Sequence, residues 1–219
     1  MNPSQPQPAA RGVVRATRSV ASALGIMVGV SGLDHGSFEI LRGNAPMGSL
    51  IVQAIGPDQR MWIHGTEEAF TIAPNFLVAG ILSVAVALAI IVWSIGYIGR
   101  PMGPTVFLAL SAALFLVGGG VAMLVFVLFC WAMARRIDRP VGWWRALPAS
   151  LIDGLVTGWR GLIVLCAVLY AFALEVAIAG VVPGVGDPEA RLYICWTALL
   201  AMLASMVLAV AGAAAEDTR

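Results

Sequence analysis

The chain has 219 residues, of which 60% are hydrophobic and only 11% are charged, and its mean hydropathy is +0.90. A soluble globular domain has about a quarter of its residues charged, so the composition excludes an ordinary soluble domain and indicates an integral membrane protein. The net charge of +1 is too small to indicate a nucleic-acid partner. The expected partners are the lipid bilayer and either further copies of the chain or other members of a membrane complex.

Residues 1–12 contain several Pro and Gln residues and are expected to form a disordered tail. Residues 13–33 form the first hydrophobic segment, which is long enough to span if Arg15 and Arg18 extend to the lipid headgroups. A cleaved signal peptide is the alternative, but Val30-Ser31-Gly32 is a poor cleavage site. Small residues recur every four positions and predict close packing of a second helix: Ala21, Gly25 and Gly29.

The polar stretch 34–74 follows, and it is expected to lie against the membrane surface. It holds both histidines and five of the twelve acidic residues. Gly43-Asn44-Ala45-Pro46 and Gly56-Pro57-Asp58 are turn signals that divide it into three pieces. The apolar runs between these turns are too short to cross a bilayer.

Four more hydrophobic segments are predicted, at 75–98, 105–134, 161–182 and 192–215, followed by a short tail at 216–219. The segment 105–134 would be about 45 Å long as one helix, which exceeds a hydrocarbon core of about 30 Å. Gly118, Gly119 and Gly120 lie at its centre. The helix therefore either overhangs the membrane or breaks at these glycines, which otherwise serve close helix packing.

The later segments carry three further features. Residues 149–159 are interpreted as a short helix at the membrane interface. The cysteines Cys130, Cys166 and Cys195 lie in apolar runs without a C-x-x-C pair, so we interpret them as packing residues. A second small-residue seam is predicted on the last segment: Ala201, Ser205, Ala209 and Ala213.

The arginines leave the orientation open. Five full spans with a cytoplasmic N-terminus place five arginines inside and eight outside, against the positive-inside rule. If the chain turns back at Gly118–Gly120, the count becomes ten inside and three outside. If the first segment lies on the inner surface instead of spanning, the count is eleven and two. We favour a spanning first segment, because its small-residue face would be unused at the surface.

Two His/carboxylate pairs predict a candidate metal site in the polar stretch. His35 lies four residues before Glu39, and His64 lies three and four residues before Glu67 and Glu68, so each set shares one face if the chain is helical there. Imidazole and carboxylate suit zinc, iron or manganese. The spacing matches no established metal motif, and the alternative is a set of solvated residues. Any cofactor thus remains unknown, with a divalent metal as the candidate.

Glu175 is the second candidate, because it interrupts the apolar segment 161–182 about 5 Å from its middle. An acid there is costly, by about 2.5 kcal/mol or more, and such residues often mark proton or ion paths. The alternative is a neutral carboxyl group that hydrogen-bonds a neighbouring helix, for instance at Thr197 or Ser205.

The sequence therefore predicts an all-α, multi-pass bundle in the cell membrane, with about five hydrophobic segments in one domain, four or five of them full spans. The favoured function is an ion- or proton-coupled transporter or a channel component that uses Glu175. The alternative is a structural or accessory subunit of a larger membrane complex. A metal-dependent membrane enzyme that uses His35 and His64 is a more distant third.

Overall fold

A computed structural model describes residues 15–137 and 148–219. The expected tail at 1–12 and the arginines Arg139 and Arg145 lie outside these described residues. Of these described residues, 69% are helical. The α-helices in the described ranges are α1 (Ala16–Leu41), α2 (Phe76–Gly96), α3 (Gly103–Leu116), α4 (Leu124–Ala134), α5 (Ala149–Ala179) and α6 (Pro188–Glu216). Two short strands, β1 (Ile51–Gln53) and β2 (Glu68–Phe70), pair antiparallel.

Four helices, α1, α2, α5 and α6, are long and apolar enough to cross a membrane. The prediction of a mostly helical chain with several apolar helices of membrane-spanning length is confirmed. The helices α3 and α4 have 14 and 11 residues. At 1.5 Å per residue they are about 21 and 16 Å long, too short for a hydrocarbon core of about 30 Å.

The helix α1 is the centre of the bundle and packs against α2, α4 and α6. It ends at Leu41 instead of the predicted residue 33, so Asp34, His35 and Glu39 belong to a helix and not to a surface stretch. The helix can continue through these polar residues because His35 and Glu39 are one turn apart and both face the interior of the bundle. Both side chains are buried there by other parts of the chain.

The predicted segment 105–134 is broken in the middle, into α3 and α4. Gly118 and Gly120 have φ values of 114° and 84°, a region that L residues rarely adopt and that glycine adopts freely. The chain turns back at this point, so that the outer ends of α3 and α4 lie at the same end of the bundle. Of the two predicted alternatives, the structure has the break.

The helix α5 is continuous over 31 residues, whereas an interfacial helix and a separate span were predicted. Its first turns pack on the last turns of α6, where the backbone of Leu155 approaches Gly212. The helix begins after Pro148 and ends at Gly180, which has a left-handed conformation. The middle of α5 therefore lies earlier in the sequence than the middle of the predicted span.

The residues between α1 and α2 cover one end of the bundle, which we call the hairpin end. Thr71 forms a bridge with Val117 in the connection between α3 and α4. The Trp62 indole donates a 2.9 Å hydrogen bond to the Ala177 carbonyl near the end of α5. The β1–β2 hairpin is thereby fixed to elements from the whole bundle.

The opposite end, which we call the arginine end, joins the two termini of the described chain. The Asp217 carboxylate accepts hydrogen bonds from the Ala16 and Thr17 amides at 2.8 and 2.9 Å, and so caps α1. Seven arginines of the described ranges lie near this end: Arg15, Arg18, Arg100, Arg135, Arg136, Arg160 and Arg219. The described arginines near the hairpin end are Arg42, Arg60 and Arg191. This distribution follows the turn at Gly118–Gly120.

Candidate functional site: a buried His–Glu cluster

The most buried acidic and histidine side chains of the described chain lie in the last turns of α1, with His35 about 9 Å from the end of the helix. His35 is 1% exposed, and its Nε2 atom lies 2.8 Å from Oε2 of Glu67, the residue before β2. Glu39, one turn further along α1, is 0% exposed. We call His35, Glu39 and Glu67 the His–Glu cluster. It combines the buried imidazole of His35 and the buried carboxyl group of Glu39 with the partly exposed carboxyl group of Glu67.

The Gly118–Gly120 connection between α3 and α4 packs directly against the side chains of His35 and Glu39. A Cβ atom at Gly120 would lie 2.6 Å from Cε1 of His35, and one at Gly118 would lie 2.7 Å from Oε2 of Glu39. No side chain larger than hydrogen fits at either position without movement. The break in the helix thus lets backbone cover the two polar side chains directly.

Most polar atoms of the cluster have no hydrogen-bond partner within the described chain. These atoms are both ring nitrogens of His35 and both carboxyl oxygens of Glu39. Glu67 lies at ion-pair distance from His35 but off the direction of a hydrogen bond. Ser83 is next to Glu39, yet its hydroxyl donates to the Val117 carbonyl at 3.0 Å. Buried polar groups without partners cost about 1–3 kcal/mol each, so a functional reason for them is expected.

An apolar cavity of about 310 Å³ adjoins the cluster between α4 and the α5–α6 pair. Its polar wall is formed by Ser31, Glu67 and Tyr170, and the remainder is apolar. The Tyr170 hydroxyl is also buried without a hydrogen-bond partner in the described ranges. Since Glu67 lines the cavity and contacts His35, it connects the cavity to the His–Glu cluster.

The structure divides the five predicted metal ligands. His35, Glu39 and Glu67 form the cluster, whereas His64 pairs with Glu189 on α6 at 3.0 Å. Glu68 is exposed on β2. Among residues 15–137 and 148–219, no group of three or more His, Cys, Asp or Glu side chains is arranged to hold a metal ion. His35 and Glu39 share a helix face, as their spacing predicts. The predicted helix face for His64, Glu67 and Glu68 is wrong, because His64 and Glu67 lie in the connection before β2 and Glu68 begins that strand.

Glu175 lies four residues before the end of α5 and is exposed. The predicted position near the middle of a span is wrong, because α5 begins at Ala149 and its last turns reach the hairpin end. The suggested partners are engaged elsewhere: the Thr197 hydroxyl donates to the Tyr193 carbonyl, and the Ser205 hydroxyl to the Met202 carbonyl. Glu175 remains within electrostatic reach of Asp34.

Both small-residue seams are used mainly inside the chain. Gly25 and Gly29 pack against Ser94 and Ile91 of α2, and Ala21 is fully buried. On α6, Ser205, Ala209 and Ala213 are buried, and Ala201 is exposed. The Gly118–Gly120 run packs on the His–Glu cluster. The seams therefore do not provide a free surface for the predicted oligomer or complex.

The sequence pointed to His35, Glu39 and Glu67 but as part of a larger set, and it missed Tyr170, Ser31 and Asp34. Asp34 carries a buried oxygen without a partner in the described chain and lies within reach of both Glu67 and Tyr170. An acid directly before His35 was the available signal. Tyr170 and Ser31 lie in apolar runs and gave none.

The chain matches no protein-family model, no curated protein and no solved structure. The arrangement of its own residues is thus the basis for any functional conclusion.

Proposed function

We propose that this protein is a proton-coupled transporter, or a component of one, and that the His–Glu cluster carries the proton. The observation that supports this most is the contact of His35 with Glu67 beside the fully buried Glu39. Ionisable side chains inside a membrane bundle are expensive, and they usually mark proton or ion paths. The residues proposed to carry the proton are therefore those of the His–Glu cluster and not Glu175, which the sequence suggested.

The position of the cluster also supports the proposal. It lies below the hairpin end, and Glu67 is 28% exposed whereas His35 and Glu39 are almost fully buried. A proton can therefore enter at Glu67, and a rotation of either side chain into hydrogen-bond alignment would let it pass to His35, whose Nε2 atom is 2.8 Å away. The turn at Gly118–Gly120 covers this route, and a movement of that backbone would uncover it.

Proton flux into vesicles that contain the purified protein tests the proposal. A pH gradient should drive faster acidification than in protein-free vesicles. His35→Asn removes a titratable group but keeps a polar side chain, and it should abolish the added flux. His64→Asn makes the same change at a half-exposed histidine outside the cluster, and it should leave the flux intact. Equal flux in wild type and protein-free vesicles would exclude proton transport by this chain alone.

An accessory subunit of a membrane complex is the second candidate, and one observation favours it. Of the most apolar 18-residue stretch of α5, only 17% is buried within the chain. A lipid-facing helix and a partner-facing helix are equally apolar, so purification in mild detergent is the test. Copurification of a second membrane protein in fixed ratio, lost on Val164→Arg and Val168→Arg on the exposed face of α5, would support this role.

A further inference from the structure

We propose that the cavity beside Glu67 binds an alkylammonium ion, that is, a single apolar chain with a positively charged amine head. This inference names a substrate class for the proposed transporter and rests on that function for the transport step. The binding step stands on the cavity itself. The occupant is an organic cation from the lipid phase and not a metal ion.

The size and surface of the cavity fit an apolar chain. Its volume of about 310 Å³ lies within the range of small-molecule sites. Trp196 and Leu200 flank it and are 58% and 66% exposed on the outer face of α6. Its opening therefore faces sideways, toward the lipid chains around the bundle. A molecule already dissolved in the membrane can enter without crossing water.

The polar wall determines the charge of the head group. Asp34 lies within electrostatic reach of both Glu67 and Glu175, and Glu39 lies five residues further along α1. The cations that face this group are His35 and Arg42, and Arg42 is turned toward Phe76 and Gln53. Glu67 is the carboxyl group that lines the cavity, so it determines the charge preference of the polar wall. A carboxylate or phosphate head group would be repelled, whereas an ammonium group would be attracted.

Four side chains supply the hydrogen bonds and the ring surface that such a head group needs. Glu67 accepts from an ammonium group, and so does the Tyr170 hydroxyl, which has no partner within the described chain. Ser31, 5% exposed, offers a further hydroxyl. The Phe126 and Tyr170 rings meet edge to face at 5.3 Å beside this point, and aromatic faces attract cations.

An ammonium ion at Glu67 also has a consequence for the cluster. Glu67 pairs with His35 in the absence of an amine, and a single carboxylate cannot pair equally well with both the imidazolium group of His35 and an ammonium ion. Binding of the amine therefore favours loss of a proton from His35, which keeps the total charge of the site constant. One proton leaves as one organic cation enters, so the exchange is balanced.

The test uses the full chain in lipid nanodiscs, titrated with octylamine, octanol and octanoate. The three probes share one chain, and octylamine is protonated at neutral pH like a lysine side chain. Tryptophan fluorescence reports binding, since Trp196 flanks the opening, and empty nanodiscs give the partition baseline. Octylamine should saturate the signal with an affinity about tenfold or more above that of octanol, as expected for a hydrogen bond to a charged group. Octanoate should not exceed the baseline.

Two variants locate the site. Glu67→Gln should lower the octylamine affinity to the level of octanol, whereas Glu68→Gln, the same change at an exposed neighbour, should leave it intact. Tyr170→Phe should weaken octylamine without loss of folding, because its hydroxyl has no partner within the described ranges. Equal binding of all three probes, or unchanged octylamine affinity in both Glu67→Gln and Tyr170→Phe, would overturn the inference. Octylamine binding without proton flux above that of protein-free vesicles, measured with octylamine present because the exchange requires it, would support this site and contradict the proposed function. Flux without octylamine binding would contradict this site alone.

Discussion

The backbone of Gly120 lies directly on the imidazole of His35: an added Cβ would be 2.6 Å from Cε1 and 2.8 Å from Cδ2 of that ring. This contact joins two features that are 85 positions apart in the sequence. It explains why a glycine run interrupts an otherwise uniform apolar segment. The break removes helical hydrogen bonds between α3 and α4, and it places the backbone of Gly120 against the buried side chain of His35.

Gly120→Ala should therefore destabilise the protein. The φ of 84° alone costs an L residue about 1–2 kcal/mol, and the contact with His35 adds to that. Thermal unfolding in detergent measures the change. Gly161→Ala is the matched control, because its Cβ would meet no atom within 4 Å. Alanine in a helix interior is favoured by about 1 kcal/mol over glycine, so this variant should be slightly stabilised. Equal melting temperatures for Gly120→Ala and wild type would contradict the close contact.

The orientation follows from the arginines. Of the ten arginines in the described ranges, seven lie near the arginine end, and the positive-inside rule places that end in the cytoplasm. Gly48→Cys lies at the hairpin end in open space, and Met102→Cys lies in an exposed loop at the other end. A membrane-impermeant thiol reagent added to intact cells should label the first and not the second. The native cysteines are buried and serve as background. The reverse pattern of labelling would invert the assignment.

The cap of α1 by Asp217 should contribute measurably to stability. Asp217→Ala removes the acceptor for two amides at 2.8 and 2.9 Å, a loss of about 1 kcal/mol, with 2 kcal/mol as the upper end. Arg219→Ala removes only an exposed ion pair with Asp153, which is worth about 0–1 kcal/mol. The unfolding free energy should fall more for Asp217→Ala than for Arg219→Ala. A smaller effect at Asp217 would show that the terminus is not docked on α1.

The sequence allowed prediction of the apolar helices, because long runs without charge have few alternatives in a membrane protein. It failed where polar residues were treated as the end of a helix. Asp34, His35 and Glu39 continue α1, since the covering glycines lie far along the chain and local pattern does not reveal them. The predicted midpoint of the 161–182 span was misplaced for a related reason: the polar residues Asp153 and Arg160 suggested a boundary inside α5. The contact of Glu67 with His35 depends on how β2 docks, which no local periodicity specifies.

In the proposed transporter, the proton passes through the His–Glu cluster and not through Glu175. The most direct measurement compares proton flux in vesicles for Glu39→Gln and Glu175→Gln, with folding of both checked by thermal unfolding. Each variant keeps the size of the side chain but cannot release a proton. We expect Glu39→Gln to lose the flux, since Glu39 is 0% exposed beside His35, and the exposed Glu175→Gln to retain it. Full flux in folded Glu39→Gln, or loss of flux in Glu175→Gln alone, would contradict it.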